Sequence, residues 1–275
     1  IKSFTNAINK YLPNCSAYYA IKVNHHPYIL KTVIKNGFGL DVSSERELKI
    51  ALDSGAKNIV FTGPAKEDGG LDLAVINNKK VIVNIDSFNE LERLAKIASK
   101  RNKKVRVGVR VFGSYHGTWN KFGIPLGSLQ KFWRQAENYP SIKLEGIHSH
   151  ISWNKDSLLY QKMIAEIAKY LKNNFTKDQL SQISFFDFGG GFRPYRSEGY
   201  YPWHTPQGRL IKAANDYFGK ATIFNQRYFI VDGVTIDEYF KGIAKALNKH
   251  FKPLLNNCSY YTEPGRIICN NAMHI

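Results

Sequence analysis

Lys22 is a charged residue in an otherwise apolar segment. It lies in the stretch YYAIKVN, residues 18–24, whose tyrosine, alanine, isoleucine and valine predict a buried β-strand over 17–23. Burying an unpaired ammonium is costly, because a low-dielectric environment disfavours the charged form. Two interpretations follow. Either the side chain reaches solvent past the end of the strand, or it is kept as a reactive amine that forms an imine with a carbonyl compound.

Other polar residues stand at or after the ends of predicted strands. They are Asp41, Lys66, Arg110, His148, His150, the run Gly189-Gly190-Gly191, Glu263 and Arg266. Each has an ordinary structural explanation when taken alone, such as an ion-paired arginine or a histidine that only packs. In a parallel barrel, however, the carboxyl ends of the strands meet on one rim, and we therefore expect these side chains to lie together.

The elements that must position them alternate along the chain. Strands are predicted over 17–23, 39–42, 58–62, 81–85, 105–111, 144–148, 184–188 and 259–263. Helices are predicted over 28–36, 45–54, 71–77, 88–100, 129–138, 158–173 and 237–251. Ser87 and Glu90 form a predicted capping box for the helix 88–100. Eight alternating units predict an α/β protein with a (β/α)8 barrel, and a doubly wound open sheet is the alternative. The lack of a glycine-rich turn after the first strand argues against dinucleotide binding.

Composition excludes several classes of function. The chain has 275 residues, 43% of them hydrophobic, and no apolar run of 18 residues that would predict a membrane span. Its three scattered cysteines form neither a metal motif nor a disulfide framework, which favours a cytoplasmic location. The net charge of +17 is spread along the chain, so it favours an anionic small molecule over nucleic acid as the binding partner.

The chemistry of the polar residues converges on one cofactor. A lysine amine can form an imine with an aldehyde, and a glycine run offers backbone N–H groups to a phosphate, with Arg266 as a charged partner. Glu263 could keep a pyridine nitrogen protonated, and the flat ring of His150 could stack on an aromatic ring. These are the parts of a pyridoxal phosphate site. No metal is predicted, because His148 and His150 lack a third ligand at a familiar spacing.

Six motifs, in this order, resemble those of the fold type III pyridoxal phosphate-dependent decarboxylases. They are AIKVN, GFGLDVSS, NKFGIPL, GIHSHIS, DFGGGF and EPGR, and the resemblance covers residues 18–266. That family includes diaminopimelate, ornithine, arginine and carboxynorspermidine decarboxylases, and it shares its barrel with alanine racemases. The resemblance implies that Lys22 carries the internal aldimine, that His150 stacks on the cofactor ring and that Glu263 pairs with the pyridine nitrogen. It also implies that the phosphate is held by Gly189, Gly190, Gly191 and Arg266. Asp41 and Arg110 are expected to line the site, and Lys121 is expected to serve a dimer interface.

The resemblance also implies an activity. We expect decarboxylation of a basic or dicarboxylic amino acid by a cytoplasmic homodimer, in lysine, polyamine or siderophore biosynthesis, with no nucleic-acid or membrane partner. Alanine racemases pair the ring nitrogen with an arginine, so Glu263 favours decarboxylation over racemisation. Two alternatives stay open: an inactive cofactor-binding or regulatory relative, and an amino-acid racemase or epimerase.

Three features depart from the family pattern. Trp153 replaces a phosphate-contacting serine of the HIGS motif of diaminopimelate decarboxylases, and Ser152 stands one place earlier. The connection 189–235 is long, and its aromatic residues, which include Tyr195, Tyr200, Tyr201, Trp203 and His204, either line the site or form a surface insertion; residues 227–231 predict a short strand within it. We also expect a barrel domain over 1–266 and the start of a C-terminal β-domain over 267–275, with most of that flanking domain absent.

Overall fold

The computed structural model describes residues 1–118, 120–200, 205–219 and 228–272. Its strands are β1 Cys15–Ala20, β2 Gly39–Val42, β3 Ile59–Thr62, β4 Val81–Ile85, β5 Val105–Phe112, β6 Ile124–Pro125, β7 Ile142–His148, β8 Phe185–Asp187, β9 Arg196–Tyr200, β10 Tyr228–Asp232 and β11 Ser259–Thr262. Eight of them pair in parallel in the order β1-β2-β3-β4-β5-β7-β8-β11, and β11 returns to β1. The sheet is therefore a closed barrel, and the predicted fold class is confirmed over the open-sheet alternative.

Helices cover the outside of the barrel. They are α1 Lys2–Tyr11, α2 Pro27–Lys35, α3 Glu45–Asp53, α4 Asp68–Ile76, α5 Phe88–Lys100, α6 Leu129–Glu137, α7 Leu158–Asn174, α8 Lys177–Gln182, α9 Pro206–Tyr217, α10 Ile236–Ala246 and α11 Arg266–Cys269. A π-helical turn, Leu247–Phe251, follows α10. None of the helices in the described part of the chain combines the length and the apolar character that crossing a bilayer requires.

The barrel interior contains an apolar cluster of Tyr18, Val60, Ile82, Phe185 and Tyr261, and the predicted site residues gather at the carboxyl ends of the strands. Phe185 and Tyr261 stack in the apolar part with ring centroids 4.7 Å apart. Gly146 makes room for this stack, because a Cβ there would lie 1.9 Å from the Phe185 ring. This cluster fills part of the barrel interior.

Two predicted segments next to the site differ clearly from the structure. The first strand ends at Ala20 rather than at residue 23, and Lys22 lies in the turn that follows, with an exposed side chain. The long connection is not a plain loop, since β9 and β10 form an antiparallel pair and α9 lies between them in sequence. Tyr201, Trp203 and His204 lie outside the described residues.

The end of the chain is helical as far as it is described. Arg266–Cys269 form α11, and a 3-10 turn follows over Asn270–Ala272. Residues 273–275 lie outside the described part. The expectation that a second domain begins at residue 267 stays a prediction.

Lys66 does not lie on the rim as predicted, because it is buried beneath it. Its Nζ donates to the carbonyl oxygens of Gly63 (2.7 Å) and Asn84 (2.8 Å) and to Glu90 Oε1 (2.7 Å). Burial lowers the pKa of Lys66 and raises that of Glu90, while their pairing opposes both shifts. Ser87 Oγ accepts a hydrogen bond from Glu90 N, but the Glu90 carboxylate is engaged by Lys66, so only half of the capping box is observed.

We expect Lys66→Ala to destabilise the fold by about 3–5 kcal/mol, since it strands Glu90 as a buried, unpaired charge. Urea-induced unfolding measures this loss. The matched control Lys49→Ala removes an exposed pair with Glu45 and should change stability by less than about 0.5 kcal/mol. The double variant Lys66→Met/Glu90→Leu should recover most of the loss. If it does not, hydrogen bonding of Lys66 to the two carbonyl groups matters more than the ion pair.

Candidate active site

Two adjoining cavities open at the carboxyl ends of the strands. The larger has a volume of about 700 Å³ and the smaller about 350 Å³. Five residues border both of them: Lys22, His150, Ser152, Trp153 and Glu263. Arg110 borders only the larger cavity, whereas Gly191 and Arg266 border only the smaller one. The structure thus brings most of the predicted site residues to one mouth of the barrel.

Glu263 is the buried carboxylate of this mouth. Thr62 Oγ1 donates to it at 3.0 Å, and its carboxylate lies 3.3 Å from His148 Nε2 and 3.4 Å from His150 Nδ1. Burial alone would raise the pKa of Glu263, but the contact with His148, the largest opposing influence, outweighs burial and holds this pKa well below its usual range. Burial lowers the pKa of both histidines. An ionised Glu263 is therefore stabilised by the neighbours that donate to it.

His150 lies between the carboxylate and the glycine run. Its Nδ1 is 3.1 Å from Gly190 N and accepts that hydrogen bond, so this nitrogen cannot also donate to Glu263. The ring proton then resides on Nε2, which is 3.3 Å from Ser152 Oγ. This tautomer leaves His148 Nε2–H, together with Thr62, as the donors to Glu263.

The glycine run can only be built from glycine. Gly189 and Gly191 have φ of +68° and +87°, in the left-handed region that side chains disfavour. A Cβ on Gly190 would lie 2.1 Å from the Glu263 carbonyl oxygen, and one on Gly191 would lie 1.8 Å from the Ile151 carbonyl oxygen. Tyr160 holds the run by donating from its hydroxyl to Gly190 O at 2.7 Å.

Two further buried acids lie beneath Glu263. Asp41 does not border either cavity, and its Oδ1 has no hydrogen-bond partner in the described part of the chain. Burial, followed by the charge of Glu263, raises the pKa of Asp41 and of Asp187 well above the usual range. Asp187 Oδ1 accepts from Gly189 N at 2.9 Å. The prediction overlooked Asp187 and Thr62, although each is a polar residue at the carboxyl end of a strand.

The two arginines have different surroundings. Arg110 Nη1 is 3.4 Å from Asp86 Oδ1, so its charge is partly neutralised where it borders the larger cavity. Arg266 lies over the Trp153 ring at 5.6 Å, and its Nε donates to Asn270 Oδ1 at 3.1 Å. Arg266 and Gly191 of the glycine run border the same smaller cavity.

His148, His150 and Glu263 place three potential metal ligands within 4.8 Å of one another. The sequence argument against a metal rested on the lack of a third ligand near the two histidines, and it overlooked Glu263 because that residue is distant along the chain. The expectation of no metal stays a prediction.

The observed donor set fits pyridoxal phosphate. The glycine run is a cradle that any Cβ would fill, and Gly191 and Arg266 border the smaller cavity. A buried, ionised carboxylate suits a protonated pyridine nitrogen, and Lys22 supplies a primary amine at the junction of the two cavities.

Protonation of the buried histidines should destabilise the fold in mild acid. Their folded pKa values lie below the ordinary value of about 6.5, so the unfolded chain binds more protons and stability falls as the pH drops below about 6.5. The raised pKa values of Asp41 and Asp187 act in the opposite sense. We expect His148→Gln to show a smaller fall in melting temperature between pH 7 and pH 5 than the unaltered protein. The exposed control His25→Gln should keep the full dependence. An unchanged profile in His148→Gln would contradict this assignment.

Comparison with known proteins identifies the family of the chain. A family model described as "Pyridoxal-dependent decarboxylase, pyridoxal binding domain" matches residues 1–270. Diaminopimelate decarboxylase of Aquifex aeolicus is 30% identical over 226 residues, which cover 77% of this chain and 53% of that protein. L-glutamyl-[BtrI acyl-carrier protein] decarboxylase of Niallia circulans is 29% identical over 240 residues, covering 80% of this chain and 54% of that protein. The chain thus spans about half the length of these relatives.

A solved structure has the same fold. Diaminopimelate decarboxylase from M. jannaschi superimposes with a TM-score of 0.73 at 22% identity, covering 98% of this chain and 57% of that one. The resemblance drawn from the six motifs is confirmed, and so is pyridoxal phosphate as the cofactor of the family. The chain belongs to the pyridoxal-dependent decarboxylase family and comprises its pyridoxal-binding domain.

Proposed function

We propose that the protein containing this chain decarboxylates an amino acid with the help of pyridoxal phosphate, and that Lys22, His150 and Glu263 are its catalytic residues. The observation that carries this proposal is the pair formed by an ionised, buried Glu263 and an accessible Lys22 on the same two cavities. When bound, pyridoxal phosphate supplies an electron sink that accepts the electron pair released as carbon dioxide leaves.

Lys22, Glu263 and His150 have separate roles in this proposal. Lys22 Nζ is the amine for covalent attachment of the cofactor, and it stands where the two cavities meet. Glu263 holds a proton at the ring nitrogen, because its depressed pKa favours the ionised carboxylate beside a cation. His150, which borders both cavities, covers one face of the ring.

The smaller cavity takes the phosphate and the larger one the substrate. The backbone N–H of Gly191 and the guanidinium of Arg266 bind the phosphate. Gly189 N donates instead to Asp187 Oδ1 and Gly190 N to His150 Nδ1, so these two glycines shape the cradle. Arg110 lines the space for the substrate, whereas Asp41 is buried, has a raised pKa and does not border either cavity. The relatives act on different amino-acid derivatives. A basic or dicarboxylic amino acid is the substrate class that we propose.

The proposal also covers the assembly of the protein and its location in the cell. We propose a homodimer, with Lys121 near the interface, and a cytoplasmic role in lysine, polyamine or siderophore biosynthesis. The three cysteines of the chain are unpaired and buried, as befits a reducing compartment.

The test is release of carbon dioxide from a panel of amino acids by the intact, cofactor-loaded protein. The panel comprises meso-diaminopimelate, L-lysine, L-ornithine, L-arginine and L-glutamate. Release from at least one, and none from Lys22→Ala, supports the proposal. Cofactor binding without carbon dioxide from any substrate would instead favour an inactive binding relative, which the departure at Trp153 motivates. Loss of optical activity without carbon dioxide would favour a racemase.

A further inference from the structure

The walls of the smaller cavity are joined by backbone hydrogen bonds. Asn154 N donates to Gly191 O at 2.9 Å, and Arg193 N donates to Asn154 O at 3.2 Å. Asn154 and Phe192 form a parallel bridge. These bonds hold the segment that ends the GIHSHIS motif beside the segment that ends the glycine run. Residues 153 and 193 consequently border the same cavity.

Trp153 departs from the family at this wall. Its φ of +59° is unusual for a bulky residue and marks a strained position. The side chain is 69% exposed, and its ring lies against Arg266. An indole cannot replace the serine hydroxyl expected here as a compact phosphate donor. Ser152 stands one place earlier and borders the same cavity, with its Oγ 3.3 Å from His150 Nε2.

Arg193 offers a replacement from the opposite segment. Its Nε donates to Oγ of the buried Ser197 at 2.8 Å, which fixes the guanidinium. No partner for its two η nitrogens is found among residues 1–118, 120–200, 205–219 and 228–272. Arg193 and Arg266 both border the smaller cavity, where Glu263 is the sole carboxylate of the described lining. A partly buried guanidinium with unused donors is suited to a phosphate group.

We propose that Arg193 is a second cationic ligand of the cofactor phosphate, beside Arg266, and supplies hydrogen bonds in place of the serine hydroxyl that position 153 lacks. This inference rests on the proposed function. It predicts that Arg193 discriminates between pyridoxal phosphate and pyridoxal, which lacks the phosphate.

The experiment compares dissociation constants for the two compounds, measured by absorbance titration of the purified protein. Arg193→Gln should weaken binding of pyridoxal phosphate by roughly 10- to 100-fold, the range expected on removing a charge-assisted hydrogen bond, and change binding of pyridoxal by less than about twofold. Arg193→Lys should retain part of the affinity because it keeps the charge. The control is Arg196→Gln, which removes an exposed arginine three residues away and should leave both constants unchanged. Urea unfolding of each variant checks that it is folded.

The outcomes are separable. Equal weakening for both compounds, or no weakening for either, would overturn the role of Arg193 while leaving the proposed function intact. Failure of the unaltered protein to bind pyridoxal phosphate would overturn both proposals. Selective weakening for the phosphorylated compound is the supporting result.

Discussion

Lys22→Ala is expected to lower the rate of decarboxylation by about 10⁴-fold or more, the loss typical of removing a covalent catalyst. Lys22 is the only lysine in the described lining of the two cavities. Lys66, which the sequence also placed on this rim, is buried and donates to Glu90 and two carbonyl oxygens. No second amine in the described lining therefore stands ready to replace Lys22.

Turnover by the intact protein is the first measurement, and covalent labelling is the second. Treatment with pyridoxal phosphate and borohydride should leave a stable pyridoxyl group on the peptide that contains Lys22. The matched control is Lys31→Ala, which alters an exposed lysine of α2 and should keep both turnover and labelling. If the label appears on another lysine, or if Lys22→Ala keeps more than about a tenth of the activity, Lys22 is not the attachment point.

The barrel was predictable because its strands are short apolar runs separated by amphipathic helices. β2 and β4 have the predicted bounds, as does α5. Buried parallel strands carry a strong local signal, since both faces must be apolar. The same apolar pattern led to a predicted first strand that is too long at its carboxyl end. Ile21 and Val23 are apolar, but β1 ends at Ala20. There, Ala20 N bonds to Pro264 O and Ile21 N to Asp41 O, and these contacts with distant segments decide the end.

The side chains of the mouth were predictable as a group but not as partners. Strand ends located Glu263 and His150, whereas the hydrogen bonds among Glu263, Thr62 and His148 depend on three-dimensional placement. Lys66 shows the opposite error. Its position after a strand predicted that Lys66 lies on the rim. Its side chain is instead buried, where Nζ donates to Glu90, a residue 24 positions away along the chain. Arg193 lies in none of the six family motifs. Its position beside the smaller cavity follows only from the structure, in which Asn154 joins two distant segments by backbone hydrogen bonds.

The acids of the mouth share one negative charge. Glu263 is ionised because His148 and Thr62 donate to it, whereas Asp41 and Asp187 have raised pKa values because they are buried near that charge. Ionising all three would place several like charges in a low-dielectric region, which is costly. The negative charge is thereby concentrated on the carboxylate that faces the cavities, which is the one required at a pyridine nitrogen.

Glu263→Gln tests this arrangement and is expected to lower kcat by roughly 10²- to 10³-fold, a loss comparable to removing a preorganised electrostatic contact. Glutamine has the same shape, and its amide oxygen can still accept from Thr62 and His148, so the fold should persist. It cannot hold a proton on a pyridine nitrogen by charge. The dissociation constant for pyridoxal phosphate should change far less than kcat, since the phosphate contacts are unaltered.

A second readout separates the electrostatic role from a structural one. Removing the charge at position 263 should lower the pKa of Asp41 and of Asp187, because the charge of Glu263 helps to raise both. Carboxyl carbon NMR resonances of these residues would report that change as a titration at lower pH. The exposed control Glu137→Gln should alter neither kcat nor the titrations. If Glu263→Gln remains folded and its kcat stays within about tenfold of that of the unaltered protein, protonation of the ring nitrogen does not depend on Glu263. The argument for decarboxylation then loses its electrostatic basis.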